Sequence, residues 1–125
     1  MDLSKNTALE HFDLCYNKLS GLDLSKNTKL VYLCVNMNKL AGLDVSQNTV
    51  LCTLALDNNQ LKNLDVSKNT KLDSLSVISN MLTELDLSKN TVLKTLWLKG
   101  NNIPCESNVV GLENLELCCF GMEIS

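Results

Sequence analysis

Leu30-Val31-Tyr32-Leu33-Cys34-Val35-Asn36-Met37-Asn38-Lys39-Leu40, followed after two residues by Leu43-Asp44-Val45-Ser46-Gln47-Asn48-Thr49, contains the plan of the whole chain. The first half, L-x-x-L-x-L-x-x-N-x-L, returns from Leu51 to Leu61, Leu72 to Leu82 and Leu93 to Ile103. It also occurs once earlier, from Leu9 to Leu19, with Phe12 in the second Leu position. The second half, L-D-L/V-S, returns at Leu22, Leu64 and Leu85, and a truncated copy, Asp2-Leu3-Ser4-Lys5-Asn6-Thr7, opens the chain. The spacing is 21 residues throughout. A fixed period of this size marks a solenoid, in which each unit is too small to bury its own apolar side and must stack on its neighbours.

The residue chemistry specifies the coil. Alternate side chains of a strand share a face, so both Leu of L-x-L point inward. Leu33, Leu54, Leu75 and Leu96 then form one core row, and Val35, Leu56, Val77 and Leu98 the next. Strands stacked about 4.8 Å apart would pair in parallel. Two Asn rows occupy the turns: Asn17, Asn38, Asn59, Asn80 and Asn101 after the first strand, and Asn6, Asn27, Asn48, Asn69 and Asn90 after L-D-L/V-S. A buried amide carries donors and acceptors, so each row is expected to serve as a ladder that satisfies turn backbone. Each coil divides into two short halves, which leaves extended backbone rather than helix on the second side.

These two linked motifs resemble the leucine-rich repeat family, in particular its short 21-residue bacterial type, the IRREKO class. The resemblance covers residues 1 to about 103 closely and 104–125 loosely. It implies a mainly β solenoid: a right-handed coil with a parallel sheet on one face, used for protein recognition. Residues 1–103 are read as five repeats, the first without a cap, and 104–125 as an atypical sixth coil acting as C-terminal cap. In that coil Leu112-x-x-Leu115-x-Leu117 restarts the strand pattern and Phe120 takes the Asn position.

The two outward faces differ. The second carries near-constant rows of Asp (Asp2, Asp23, Asp44, Asp65, Asp86), Ser (Ser4, Ser25, Ser46, Ser67, Ser88) and mostly Lys (Lys5, Lys26, Gln47, Lys68, Lys89). That is a solvated, self-compensating surface with turn-forming side chains. The first face does not repeat. Its rows read His11, Tyr32, Thr53, Ser74, Thr95; then Asp13, Cys34, Ala55, Ser76, Trp97; then Cys15, Asn36, Asp57, Ile78, Lys99, flanked by Tyr16, Met37 and Asn58. These positions are the expected partner-binding face, because amphipathic aromatics favour recognition surfaces. The competing reading is a structural spacer within a longer solenoid, its ligand sites elsewhere.

Composition narrows the alternatives. The 125 residues include 26 Leu, 16 Asn and no Arg, with a net charge of −3 and 11 Lys that form no cluster, so nothing favours nucleic acid. No apolar run is long enough for a membrane span. Met1 leads directly into Asp-Leu-Ser-Lys, so no signal peptide is visible; the resemblance allows a cell-surface or secreted location for a longer parent protein. No cofactor motif is present.

Neither catalysis nor a metal site is expected. His11, Asp13 and Cys15 share a strand face with Cys34 beside them, but residues four apart on a strand lie about 13 Å apart, which separates His11 from Cys15. Six Cys raise the question of disulfides. Cys15 and Cys34 are expected to lie diagonally, beyond the ~7 Å Cα separation that a disulfide spans. Cys52 is isolated, while Cys105, Cys118 and Cys119 gather in the last segment, at spacings unlike the four-Cys cap of extracellular leucine-rich repeats. The first strand presents an open edge, an invitation to self-association.

Overall fold

The computed structural model describes residues 1–112. Five three-residue strands, β1 (His11–Asp13), β2 (Tyr32–Cys34), β3 (Thr53–Ala55), β4 (Ser74–Ser76) and β6 (Thr95–Trp97), form one parallel sheet in the order β1-β2-β3-β4-β6. A second, two-stranded parallel sheet pairs β5 (Leu85–Asp86) with β7 (Val109–Val110). Helical backbone among the described residues is limited to 3-10 geometry at Glu106–Asn108 and at Leu112. The fold is a parallel β-solenoid of leucine-rich-repeat type. No helix among the described residues is long and apolar enough to cross a membrane.

Register follows the repeat without a slip. Phe12, Leu33, Leu54, Leu75 and Leu96 are successive Cα partners, and the four leucines are essentially inaccessible. Leu14, Val35, Leu56, Val77 and Leu98 are buried in the row beside them. Hydrogen bonding also outlasts the short strands. Leu14 N–H donates to Cys34 C=O at 2.8 Å and Tyr16 N–H to Asn36 C=O at 3.0 Å, and the pattern recurs coil after coil, as in Val35 to Ala55 and Met37 to Asp57. Aliphatic side chains supply almost the whole core; Phe12 packs against it only in part. A coil this narrow has little room for rings.

The first Asn row is a saturated ladder. Asn59 Nδ2 donates to Leu56 C=O in its own coil and to Val35 C=O one coil back, both at 3.0 Å, while its Oδ1 accepts Leu40 N–H at 3.0 Å. Asn38, Asn80 and Asn101 repeat this geometry and are equally buried. The second row works from one end only. Asn27, Asn48, Asn69 and Asn90 donate to two carbonyls of the preceding coil, yet their buried Oδ1 atoms meet no protein donor. Asn6 and Asn17, the first copies, are exposed. Asn17 bonds only its own turn, whereas Asn6 lends its carbonyl to Asn27.

One backbone feature was invisible in the motif. Tyr16, Met37, Asn58, Ser79 and Gly100, each just before a ladder Asn, all have positive φ, from 55° to 80°. This left-handed residue turns the chain so that the following amide points inward. Only Gly100, and to a lesser degree Asn58, suits it; β-carbon crowding costs other residues about 1–2 kcal/mol.

Residues 104–110 run from the fifth coil to β7, which lies against β5 on the second side. The expected restart at Leu115 and Leu117, Phe120 in the Asn position, and Cys118 and Cys119 lie outside the described residues.

Candidate functional site

The outward face of the β1-β2-β3-β4-β6 sheet brings the non-repeating residues into three rows, in register. Tyr32, Thr53, Ser74 and Thr95 are successive register partners, as are Cys34, Ala55, Ser76 and Trp97. Most of these residues are half-buried, because each strand is shaded by the two beside it, whereas His11, Asp13 and Lys99 at the two ends of the face are exposed. His11 and Tyr32 stack, with ring centroids 6.0 Å apart and planes 21° from parallel. The most prominent apolar groups are on the flanking left-handed row, where Tyr16 is 80% exposed and Met37 41%. The positive φ that inverts the backbone there also lifts these side chains off the sheet.

The row Cys15, Asn36, Asp57, Ile78 is not uniformly free surface. Asn36 Oδ1 accepts Asp57 N–H at 2.7 Å. Asp57 Oδ1 accepts both Ile78 N–H at 2.9 Å and the Ser76 hydroxyl at 2.5 Å. Each of these side chains leans toward the following coil, and residues 19 apart become diagonal neighbours.

That diagonal corrects the expected separation of Cys15 and Cys34. They form a disulfide with Cα atoms 6.2 Å apart, inside the permitted range. The two come closer than a flat sheet would allow because the chain is already turning at Cys15 toward left-handed Tyr16. The Cys15–Cys34 pair occupies the same relative positions as the hydrogen-bonded Asp57–Ser76 pair two coils on. Cys34 is accordingly buried rather than an open part of the face. Asp13 completes this corner: its carboxylate accepts Cys15 N–H at 3.0 Å, and one ligand-type atom from each of Asp13, Cys15 and Cys34 lies within 4.8 Å of the others. His11, which the sequence placed on the same strand face, is not part of that group.

The opposite face is chemically uniform. Asp2, Asp23, Asp44, Asp65 and Asp86 each accept the N–H of the Ser two residues on at 2.9 Å. Ser25 and Ser46 add a hydroxyl donor at 2.6 Å. The serine hydroxyl and then the backbone N–H hold each of these carboxyls below the ordinary aspartate range. A cavity of about 580 Å³ lies on this side, lined by Asp65, Glu84, Asp86, Lys89, Ser107 and Asn108 among others.

Known structures share this architecture. The functional domain of InlJ from Listeria monocytogenes, which includes a cysteine ladder, is 37% identical over 84% of this chain and 28% of that one, with a TM-score of 0.61. The leucine-rich repeat domain of APL1B matches at 22% identity over 71% of this chain and 30% of that one (TM-score 0.66). The internalin InlF, also from L. monocytogenes, matches at 21% over 81% and 37% (TM-score 0.67). The last two are likenesses of fold alone. This chain therefore spans between about a quarter and two-fifths of the structures it matches. No protein-family model matches the chain, and no curated protein does. Among the described residues, Cys15, Cys34, Cys52 and Cys105 occupy four different repeat positions, so no cysteine recurs from coil to coil.

Proposed function

We propose that this chain is a protein-interaction module, built of the short 21-residue bacterial type of leucine-rich repeat, that binds a protein or peptide through its non-repeating sheet face. One observation carries the reading. Within a single chain, the uniform face keeps its Asp, Ser and Lys rows while the sheet face changes at nearly every coil and gathers Tyr16, Tyr32, Met37 and Trp97. Interface energy concentrates in such aromatic anchors. Tyr32 and Trp97 are three strand steps apart, about 14–15 Å, a span that one partner covers. The reading is non-enzymatic: on this face the sole His stacks on a tyrosine, and the two Cys are tied to each other.

A spacer role within a longer solenoid is favoured by a different observation. Asn36, Asp57 and Ser76, at the centre of the face, are engaged in coil-to-coil bonds. The discriminating experiment is affinity capture by the immobilised chain. On the binding reading, Tyr32→Ser and Trp97→Ser each weaken a captured partner by about 2 kcal/mol, while Asp44→Ala and Lys68→Ala leave it unchanged. Loss with the second pair and not the first would move the working surface to the uniform face. Capture of nothing above a scrambled-face control would favour the spacer.

A further inference from the structure

The corner formed by Asp13, Cys15 and Cys34 has a chemistry that the binding face does not use. A carboxylate oxygen and two sulfurs lie within 4.8 Å of one another. The scaffold, rather than the S–S bond alone, holds them there. Asp13 is the register partner of Cys34, Leu14 N–H donates to Cys34 C=O at 2.8 Å, and Tyr16 N–H to Asn36 C=O at 3.0 Å, so backbone bonds flank the pair. The Asp13 carboxylate is fixed by Cys15 N–H at 3.0 Å and so stays beside the sulfurs. Burial is graded across the group: Cys34 is buried, Cys15 half-buried and Asp13 exposed, which opens one side to solvent.

We propose that Asp13, Cys15 and Cys34 are a redox-gated site for a thiophilic divalent cation of the Zn²⁺ class. A dithiol reductant delivers two electrons and two protons to the Cys15–Cys34 disulfide, which cleaves to two thiols as the reductant becomes a disulfide. The cation then displaces both thiol protons and takes two thiolates and one carboxylate, a solvent molecule filling the fourth position. A tetrahedral site with bonds of about 2.0–2.3 Å needs its donors about 3.3–3.8 Å apart. Once the bond is cleaved the two sulfurs must separate from their bonded distance of about 2 Å to that spacing. The Asp13 oxygen, within 4.8 Å of both, must close in by at most about 1.5 Å, and both movements are within the reach of side-chain rotation. In the reverse direction a small-molecule disulfide accepts the two electrons and two protons, leaving as two thiols, while the Cys15 and Cys34 thiolates join in their disulfide and the ion is released. The distance from His11 to Cys15 does not bear on this group, because Asp13 is its third donor.

The test uses Co²⁺ as a spectroscopic stand-in, added to the full chain after phosphine reduction and desalting without oxygen. Cys52, Cys105, Cys118 and Cys119 are replaced by Ser so that they contribute no signal, and circular dichroism checks that the fold is kept. One equivalent of Co²⁺ should give sulfur-to-metal charge transfer and the visible bands of a tetrahedral ion, and Zn²⁺ should abolish both. Cys34→Ser should remove the charge-transfer band, and Asp13→Asn should weaken binding at least tenfold. The oxidised chain should bind none. If the four-Ser chain does not fold, the same titration compares the wild-type sequence with Cys15→Ala/Cys34→Ala, which must take up one equivalent less. No tetrahedral spectrum after reduction, or one unaffected by Cys34→Ser or Asp13→Asn, overturns the site.

Discussion

Asn59→Ala is the sharpest probe of what holds the coils in register. The residue is 7% exposed and sits in the middle coil. Its loss does not strand all of its partners equally. Val35 C=O keeps a bond from Asn38 at 3.0 Å, and Leu56 C=O keeps one from Asn80 at 2.9 Å, because each turn carbonyl is shared by two successive ladder amides. Leu40 N–H is different. The Asn59 Oδ1 is its acceptor, and Leu40 itself is fully buried. Stranding that donor costs about 1–3 kcal/mol, and thinning the two carbonyl contacts adds about 1 kcal/mol more, for a total of about 2–4 kcal/mol. Asn17 holds the same motif position but is exposed and serves only its own turn, at 2.8 and 3.2 Å, so Asn17→Ala should cost under about 1 kcal/mol. Urea unfolding followed by circular dichroism, at unchanged m-value, measures both. Equal losses at the two sites, or less than about 1 kcal/mol at Asn59, would mean that burial of the ladder is not what gives it its energy.

Three further outcomes follow from the same geometry. Asn58→Ala should destabilise by about 1 kcal/mol although the side chain is exposed, because φ is +57°, whereas Tyr16→Gly, at +60°, should stabilise by up to about 1 kcal/mol in the same urea assay. Reducing the Cys15–Cys34 disulfide, which closes a loop with a sequence separation of 19, should lower stability by up to about 3 kcal/mol on the chain-entropy estimate, read as a shift in urea midpoint without added metal. The Asp row sets a pH dependence. Folding lowers these carboxyl pKa values, so their contribution is present above the unfolded aspartate value near 3.9 and is lost as pH falls through the folded values. Melting temperature should therefore fall below about pH 4, and Ser25→Ala with Ser46→Ala should flatten that fall; an unchanged slope would detach the serines from the effect.

The rows that point inward were legible because each is repeated and each has one physical solution. Leu at alternate strand positions and an amide at the turn can satisfy a 21-residue coil in essentially one way, and the core and both buried ladders lie where the spacing puts them. The first copies are the exception for a simple reason: Asn17 has no preceding coil in this chain to donate to, and remains exposed. What the motif hid was conformation carried by a position of no fixed chemistry. Tyr, Met, Asn, Ser and Gly share one left-handed backbone, and only the third and fifth of these copies hint at it. Read as a row, Asn58 and Gly100 were the available signal.

The same hidden turn explains why the outward face resisted reading. A flat sheet keeps residues 19 apart out of reach, but bending the chain just past each strand turns that diagonal into a contact. In the first two coils the contact is a disulfide, and in the third and fourth it is the hydrogen bond from Ser76 to Asp57. A face that varies freely in composition is therefore not free in every position. Residues that reach forward along the diagonal join one coil to the next, and their variation records different ways of making the same connection. Residues lifted by the left-handed turn, Tyr16 and Met37, and those on the strands themselves, Tyr32 and Trp97, make no such connection through a polar group. If variation on this face reflects recognition, its energetic centre belongs to that second set, so substitutions at Asn36 or Asp57 should be read first through stability and only then through binding.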